Sequence, residues 1–398
     1  MYCCRSEKHA GQLQRAMEVA QRLSDTFDVT VLLSDASPGL VRVPDNIEVV
    51  SLPALGFDPD ASAVDIDGSR ELKDLIVARR DVMLGVFERL KPRVVAIENY
   101  PFTQRRLRGE VLPLIERAHN GIYGESLVVC ITNAILVDEP NREEMRADRA
   151  ADLLDRYFDM VVVHSDPVFA RIEEFFQPEN TLHTPLYHTG FVTDEGSAIA
   201  RQADAPANTI LVSAGDGRHG GALYRAAVEA HGILGSTSAL PMKIVAGERL
   251  PEGEWQELMT AAEEQPGLTL ERSVSDLRQE MAQARWSVSQ CGYNTAVDAL
   301  CARIPSLFVP CGNGQRREQI VRAQRLVYWG AGRLLMPHHL NGASLANEIH
   351  QLVQFEPRRI NFDLNGASNT AELISRAVYH NDFSPVSIKP NADGRRPR

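Results

Sequence analysis

Short apolar segments alternate with longer amphipathic segments along this chain, and this alternation constrains the fold most. Residues 27–34 (FDVTVLLS), 93–98 (RVVAIE) and 160–164 (MVVVH) are near-continuous apolar runs. Such runs are typical of parallel strands that are covered on both faces. The stretch 71–90 between two of them carries apolar residues at helical spacing. The alternation therefore predicts a doubly wound parallel α/β fold.

A small, polar and proline-containing stretch at residues 192–208 interrupts the alternation, which restarts with a strand at 209–213. We therefore expect two tandem Rossmann-like domains, 1–191 and 209–380, joined by a linker at 192–208. The polar, proline-rich tail 384–398 is predicted to be disordered. Because ligands of open α/β sheets lie beyond the carboxyl ends of the strands, two such domains facing each other predict an interdomain cleft with two binding faces.

Composition narrows the functional classes. The 398 residues include 42 basic and 53 acidic side chains, a formal net charge of −11 that argues against a nucleic-acid binder. Six cysteines show neither a C-x-x-C pair nor zinc-finger spacing, which predicts reduced thiols in the cytoplasm. The N-terminus lacks the apolar core of a signal peptide, and the longest apolar stretch, 127–137, is too short to span a bilayer.

The first candidate binding motif is SAGDG at 213–217, followed by RHGG. It lies between a predicted strand and a predicted helix. Glycines there let backbone N–H groups approach a diphosphate, and the helix N-terminus favours negative charge. The alternative is a glycine-rich turn without a ligand. The motif is neither a dinucleotide fingerprint nor a Walker loop, because no G-K-[ST] follows.

The second motif is SQCGYNTAVD at 289–298, where a strand ends in a glycine turn and a helix begins. Asn294 or Thr295 can cap that helix, whose first turn offers N–H groups to a phosphate. Asp298 follows one turn later, placed to accept hydrogen bonds from ribose hydroxyls. Alternatively, the helix dipole simply stabilises this carboxylate.

The third motif is PCGNGQRREQ at 310–319. Glu318 and Gln319 open a helix after a strand and a flexible loop, and their side chains suit the vicinal hydroxyls of a sugar. An acidic first helical turn is the structural alternative. Three such motifs, in order and at the same edge of one predicted sheet, indicate a binding site more strongly than any one of them.

These residues resemble a known family. The segments 212–217, 287–300 and 306–326 are similar to the C-terminal domain of glycosyltransferase family 28. That family includes the peptidoglycan N-acetylglucosaminyltransferase that makes lipid II. With 96–102, 156–167 and 188–192, the resemblance extends over nearly the whole chain to bacterial predicted glycosyltransferases of GT-B architecture.

The resemblance implies an inverting transfer of a hexose-type sugar from a nucleotide-diphosphate donor, without a bound metal or separate cofactor. A UDP-sugar is the expected donor, and a carbohydrate or lipid-linked molecule on the N-terminal domain is the expected acceptor. We further expect the protein to act in the cytoplasm, with peripheral association at the inner face of the membrane. The resemblance also implies which residues contact each part of the donor. Asp298 would hold the ribose and Val274 the nucleobase, Glu318 and Gln319 would hold the sugar, and the diphosphate would lie near Gly215, Gly217, Gly292, Tyr293 and Asn294.

The N-terminal loop departs from the family. Relatives carry G-H-L-x-R, whereas residues 11–15 read GQLQR, so that Gln12 occupies the histidine position. A transferase needs a general base near the acceptor hydroxyl, and glutamine cannot serve. Glu98 and His9 are the predicted catalytic residues, and His164 is a third candidate. Each residue has a structural alternative. Glu98 could be a positioning carboxylate, His9 an exposed loop histidine, and His164 a strand-end histidine with a local hydrogen bond.

Other interpretations remain open on the sequence alone. The basic run at Arg105, Arg106 and Arg108 suits an anionic acceptor, or a solvated helix face. The altered loop around Gln12 is also compatible with a non-catalytic protein that binds sugar nucleotides. A UDP-sugar epimerase on the same two-domain architecture is a further alternative.

Overall fold

The computed structural model describes residues 1–4, 10–33, 43–57, 63–65, 71–103, 108–136, 143–193, 207–235, 240–263, 265–312 and 317–386. Their contacts divide the chain into two compact units. Unit 1 comprises the described residues of Met1–Thr193 and Phe362–Lys389, and unit 2 comprises those within Asp194–Asn361. None of the helices in these ranges combines the length and the apolar character that crossing a bilayer requires.

The described part of unit 1 contains a seven-stranded parallel sheet in the order β3-β2-β1-β6-β7-β8-β9. These strands are β1 (Tyr2–Cys4), β2 (Val29–Leu33), β3 (Ile47–Ser51), β6 (Val94–Glu98), β7 (Leu127–Thr132), β8 (Met160–Val163) and β9 (Leu186–His188). A separate antiparallel pair is β4 (Leu55–Phe57) and β5 (Ala63–Asp65). The helices are α1 (Ala10–Leu23), α2 (Leu72–Leu90), α3 (Arg108–His119), α4 (Glu143–Tyr157) and α11 (Gly366–His380).

Unit 2 contains, within its described residues, a six-stranded parallel sheet in the order β12-β11-β10-β13-β14-β15. The strands are β10 (Ala207–Ser213), β11 (Met242–Val245), β12 (Leu268–Glu271), β13 (Ala284–Ser289), β14 (Ser306–Phe308) and β15 (Arg333–Leu334). The helices are α5 (Gly221–Gly235), α6 (Glu252–Glu263), α7 (Leu277–Gln283), α8 (Tyr293–Ala302), α9 (Arg317–Trp329) and α10 (Gly342–Val353).

Both sheets therefore have the Rossmann strand order, in which the chain first builds outwards in one direction and then returns to the other side of its first strand. The order reverses between β1 and β6 in unit 1 and between β10 and β13 in unit 2. In open α/β sheets, the crevice outside the carboxyl ends of the two strands at this reversal is where ligands bind. The fold class predicted from the sequence, two Rossmann-like α/β domains in tandem, is confirmed.

Each sheet is covered by helices whose apolar faces the sequence periodicity indicates. In α1, Leu13, Met17 and Ala20 are buried at helical spacing, and they pack in one core with the strand residues Val29 and Val31. Helix α5 covers the sheet of unit 2 in the same way, in a core that contains both sheet and α10 residues. Burial of these apolar faces is the main stabilising contribution in both units.

The second domain does not extend to residue 380 as predicted, because α11 belongs to unit 1. Its residues Leu373 and Ile374 lie in the same core as α1. Just before α11, Phe362 packs edge-on against Phe169 and Phe191, with ring centroids 5.4 and 5.9 Å apart. The periodicity of α11 predicts an apolar face but not the unit which that face covers, and this is why the prediction is wrong.

Two other predicted segments lie largely outside the described residues. The linker 192–208 is described only at its ends, and the tail 384–398 only to residue 386. The helix predicted near 167–176 is instead a series of turns with one 3-10 turn, Ile172–Glu174. Asp166 Oδ1 accepts a hydrogen bond from the Val168 N–H at 2.8 Å, which favours a turn rather than a continuous helix there.

Candidate functional site

The reversal point of unit 2 joins the first two sequence motifs. Ser213 and Ser289 end adjacent strands in register, and each is followed by a loop. Gln290 connects the two loops: its backbone N–H donates to Ser213 O at 3.2 Å, and its side-chain Nε2 donates to His219 O at 2.7 Å. The structure therefore places both motifs at the carboxyl edge of the sheet, as the sequence predicts.

Glycine is required in the first motif by its backbone conformation. Gly215 and Gly217 have φ values of +63° and +86°, in the left-handed region that favours glycine. A side chain on Gly217 would overlap the carbonyl oxygen of Ala246, whereas the space beside Gly215 is open. The Arg249 N–H also donates to Asp216 O at 2.9 Å. This loop is therefore held against the loop that follows β11.

Gly247, in that adjoining loop, is a residue which the sequence analysis missed. Its φ is +86°, and a Cβ there would overlap the backbone of Asp216 and Gly217. The Tyr224 hydroxyl donates to Ala246 O at 2.8 Å and fixes the same turn. Gly247 follows a strand at the same edge of the sheet as the other glycine motifs, so a search for strand-end glycines could have found it.

In the second motif, helix α8 begins at Tyr293. Its N-cap is Gly292, which makes no side-chain capping bond. The prediction that Asn294 or Thr295 caps this helix is therefore wrong, because both residues lie inside the first turn. The first N–H groups of an α-helix have no intrahelical acceptor, so this turn can bind an anion.

Asp298 lies on α8 with only 9% of the residue exposed. The Arg278 Nε donates to its Oδ1 at 2.9 Å. Burial raises the pKa of Asp298 to about 6, while the Arg278 guanidinium opposes this shift. Arg278 comes from α7, whose N-cap Asp276 accepts from the Arg278 N–H. Val274, the predicted nucleobase contact, lies two residues before this cap and is partly exposed.

The contact of Arg278 with Asp298 could not be predicted from the sequence. Arg278 and Asp298 are 20 residues apart on different helices, and the bond between them is a tertiary contact. No local periodicity or spacing indicates such a pair.

The third motif is attached to the second by α9. Arg322 Nη1 donates to Cys291 O at 2.7 Å. Gln319 is 2% exposed, and its Oε1 accepts from the Cys311 N–H at 3.0 Å. Glu318 is partly exposed in the first turn of the same helix. Residues 313–316 of this motif lie outside the described residues.

In unit 1, Glu98 ends β6 beside the reversal point and is 1% exposed. Its carboxylate accepts from the Tyr2 hydroxyl at 2.9 Å, from Gln12 Nε2 at 2.6 Å and from Cys4 Sγ at 3.5 Å. Arg15 Nη2 lies 3.9 Å from the same carboxylate. The structure therefore brings Glu98 together with Gln12, the residue at the histidine position of the G-H-L-x-R pattern.

Of the other N-terminal candidates, the structure describes His164 and Arg108 but not the rest. His9, like Arg105 and Arg106, lies outside the described residues, and Arg108 is the first residue of α3. His164 has no exposed surface, and its Nε2 lies 3.3 Å from Thr370 Oγ1. Burial lowers the pKa of His164 well below its usual value. A side chain without exposed surface cannot contact an acceptor, so the structure favours a structural role for His164.

Sequence comparison identifies a domain in the second half of the chain. Residues 252–376 match the model of the glycosyltransferase family 28 C-terminal domain, a segment that covers most of unit 2 and much of α11. An uncharacterized glycosyltransferase of Methanopyrus kandleri is 26% identical over 181 residues, 45% of this chain and 48% of that protein. A UDP-N-acetylglucosamine–N-acetylmuramyl-(pentapeptide) pyrophosphoryl-undecaprenol N-acetylglucosamine transferase of Lactococcus lactis is 23% identical over 186 residues, 47% of this chain and 50% of the transferase. The match thus spans about half the length of these relatives.

Solved structures resemble the chain over nearly its full length. MurG of Acinetobacter baumannii has a TM-score of 0.58 at 15% identity, with 94% of this chain and 98% of that chain covered. A protein assigned as a UDP-N-acetylglucosamine 2-epimerase of Listeria monocytogenes has a TM-score of 0.62 at 12% identity, with 97% and 99% covered. At these identities the likeness concerns the fold. Residues 252–376 therefore match the glycosyltransferase family 28 C-terminal domain, in a chain that has the GT-B fold of these solved structures.

Proposed function

We propose that this protein is a glycosyltransferase that moves a hexose-type sugar from a UDP-sugar to a carbohydrate or lipid-linked acceptor, with inversion and without a metal. The observation that carries the proposal is the meeting of three loops at the carboxyl edge of the unit 2 sheet, within and beside the family 28 domain. The Lactococcus relative is named for a UDP-sugar donor and a lipid-linked acceptor, which supports these substrate classes.

The donor diphosphate is proposed to bind between the Gly215–Gly217 turn and the first turn of α8, at Gly292, Tyr293 and Asn294. The space beside Gly215 is open, and the first turn of α8 offers backbone N–H groups and a favourable field for negative charge. Neither needs a lysine or a metal to hold a diphosphate. The acidic net charge of the chain is therefore no obstacle to binding a single nucleotide.

The ribose and the sugar are proposed to lie further along the same edge. Asp298 accepts hydrogen bonds from the ribose hydroxyls. Glu318, which is partly exposed, accepts from the donor sugar. The Gln319 oxygen already accepts from the Cys311 N–H, which orients the side chain and leaves its amide nitrogen as the donor for a sugar hydroxyl.

One of the two predicted catalytic residues, Glu98 or His9, is proposed to be the general base. Glu98 is surrounded by three hydrogen-bond donors, so a direct contact with an acceptor hydroxyl would require one donor to move away. This packing favours a positioning role for Glu98, in which it fixes Gln12. Separate variants of the two residues, Glu98→Gln and His9→Ala, distinguish the roles: loss of the base abolishes turnover while UDP binding persists.

Calorimetric titration of the purified chain with UDP, UDP-N-acetylglucosamine, UDP-glucose and dTDP-glucose tests the donor site, and ADP serves as the control. We expect a UDP-sugar to bind more tightly than ADP. Asp298→Asn should weaken this binding, whereas Glu348→Gln, in a surface ion pair of unit 2, should not. If no nucleotide sugar binds, the proposal is wrong.

A UDP-sugar epimerase is the second candidate, because the Listeria structure has a higher TM-score than MurG of Acinetobacter. An epimerase isomerises its donor without an acceptor. Incubation with UDP-N-acetylglucosamine alone, followed by proton NMR of the sugar, separates the two: a new isomer would replace the transferase proposal. Binding without isomerisation, hydrolysis or transfer would instead indicate a non-catalytic sugar-nucleotide-binding protein.

A further inference from the structure

The buried ion pair between Arg278 and Asp298 joins helices α7 and α8 beneath the proposed donor site. Both side chains are largely buried, with 10% and 13% of their surfaces exposed. The contact uses Arg278 Nε and Asp298 Oδ1. A guanidinium stays charged at every relevant pH and presents its donors in a fixed plane, so it can both neutralise and orient a carboxylate.

The charge state of Asp298 depends on this arginine. Removing a carboxylate from water favours its neutral form, and an adjacent cation favours its ionised form. Burial has the larger effect here, because the pKa of Asp298 is raised to about 6 even with Arg278 beside it. Asp276, at the start of α7, raises the pKa further by repulsion. Without Arg278, the pKa of Asp298 would rise further, and the neutral form would become more populated at pH 7.5.

The remaining groups around this pair do not replace Arg278. Cys301, on α8 itself, is neutral near pH 7 because burial raises its pKa to about 11. On α9, Arg322 and Glu318 act on Cys291. Among the residues that the structure describes, Arg278 is thus the cation that acts on Asp298, and it comes from the helix that follows the proposed nucleobase contact Val274.

We propose that Arg278 is the positioning residue of the nucleotide site: it keeps Asp298 ionised and directs the second carboxylate oxygen, Oδ2, at the ribose hydroxyls. The inference rests on the proposed function, in which Asp298 holds the ribose. An ionised carboxylate accepts stronger hydrogen bonds from hydroxyls than its neutral form does. If Arg278 only braced α7 against α8, its loss would disturb every part of the donor site alike.

Two probes separate these roles: UDP and 2′,3′-dideoxy-UDP, titrated by calorimetry into wild type and R278Q between pH 5 and pH 9. The ratio of their dissociation constants reports the contribution of the ribose hydroxyls to binding. The uracil base and the diphosphate are the same in both probes, so their protonation with pH cancels in the ratio. For wild type at pH 7.5 we expect a preference for UDP of roughly tenfold or more, typical of hydrogen bonds to a charged group. This preference should fall with a midpoint near pH 6 as Asp298 becomes protonated.

In R278Q the preference should disappear at pH 7.5 and return towards pH 9, while the affinity for dideoxy-UDP stays the same. R278K should restore part of the preference at pH 7.5, with a midpoint above that of wild type, because an ammonium lacks the planar fork of arginine. Should R278Q not fold, R278K carries the test through its midpoint.

Three results would overturn the inference: R278Q keeps the UDP preference at pH 7.5, R278Q weakens both probes equally, or the midpoint in R278K equals that of wild type. Failure of wild type to bind either probe would count against the proposed function itself. The two failures are therefore distinguishable.

Discussion

Glu98 of unit 1 and Asp298 of unit 2 are buried carboxylates in two sheets of the same strand order, and their surroundings differ. Glu98, at the end of β6, receives hydrogen bonds from Tyr2, Gln12 and Cys4 and lies near Arg15. Asp298, in the second turn of the helix α8 that follows β13, is paired with Arg278 and keeps more of its surface exposed. The first carboxylate is enclosed by the protein, and the second keeps more exposed surface for a ligand.

The difference shows how one fold supports two kinds of site. A buried carboxylate with several donors fixes the elements around it, since each bond is strong at low dielectric and costly to break. A carboxylate with a single counter-ion has incomplete compensation for burial, which is why the pKa of Asp298 rises to about 6. Glu98→Ala and Asp298→Asn test whether unit 1 uses its carboxylate for stability and unit 2 for binding, and variants of the first glycine motif and of His164 extend the comparison to the loops and to pH.

The largest expected effect is on stability, for Glu98→Ala. Removing the Glu98 carboxylate takes a buried acceptor away from Tyr2, Gln12 and Arg15, at a cost of about 3–5 kcal/mol. The three tryptophans, Trp255, Trp286 and Trp329, all lie in unit 2, so urea unfolding of unit 1 should be followed by far-UV circular dichroism or hydrogen exchange.

Glu48→Ala is the matched control for Glu98→Ala. Glu48 lies on β3 of the same sheet, where it pairs with Arg89 at the surface and accepts a hydrogen bond from Thr30 Oγ1 at 2.7 Å, so we expect a loss of only about 1–2 kcal/mol. Equal losses for the two variants would show that Glu98 does not stabilise unit 1 in this way.

The next largest effect separates the two glycines of the first motif. Gly217→Ala combines a left-handed backbone with overlap on Ala246 O, and we expect a loss of about 3 kcal/mol or more in unit 2. Gly215→Ala has a similar backbone conformation but open space, so it should cost about 1–2 kcal/mol. Tryptophan fluorescence during urea unfolding measures both. A larger loss for Gly215→Ala would contradict the loop geometry.

Asp298→Asn tests the binding half of the comparison. The variant keeps the side-chain shape but removes the negative charge, so UDP binding at pH 7.5 should weaken roughly 10- to 100-fold, as expected for hydrogen bonds to a charged group. Calorimetry with UDP measures the change. Glu98→Gln is the cross-control in unit 1 and should leave UDP affinity unchanged. If both variants weaken UDP binding alike, the division of roles between the two carboxylates fails.

The sequence predicts the fold and the edge where the proposed site lies better than it predicts the site's chemistry. Strand-end glycines at 215, 217 and 292 follow from local rules, because backbone conformation and helix N-termini are encoded locally. The Arg278–Asp298 pair and the Gln12–Glu98 bond join residues 20 and 86 positions apart. Such bonds depend on how helices and strands pack, which residue spacing does not record.

The smallest expected effect concerns pH and has opposite signs in the two units. His164 is buried and has a folded-state pKa far below that of the unfolded chain, so the unfolded chain takes up a proton first. Unit 1 therefore loses stability as pH falls below about 6.5, by about 1.4 kcal/mol between pH 7.5 and pH 5.5. The folded-state pKa of Asp298 is raised from 3.8 to about 6, so its contribution to the stability of unit 2 is lost as pH rises through this range.

Hydrogen exchange of unit 1 in wild type and His164→Gln, at pH 7.5 and pH 5.5, measures the histidine effect after correction for intrinsic exchange rates. Glutamine does not titrate, so the stability of the variant relative to wild type should rise by the same amount at the lower pH. The matched variant Asp298→Asn should not alter the pH dependence of unit 1. If His164→Gln leaves that dependence unchanged, the histidine takes up its proton in the folded state, and its burial between β8 and α11 is less complete than the structure shows.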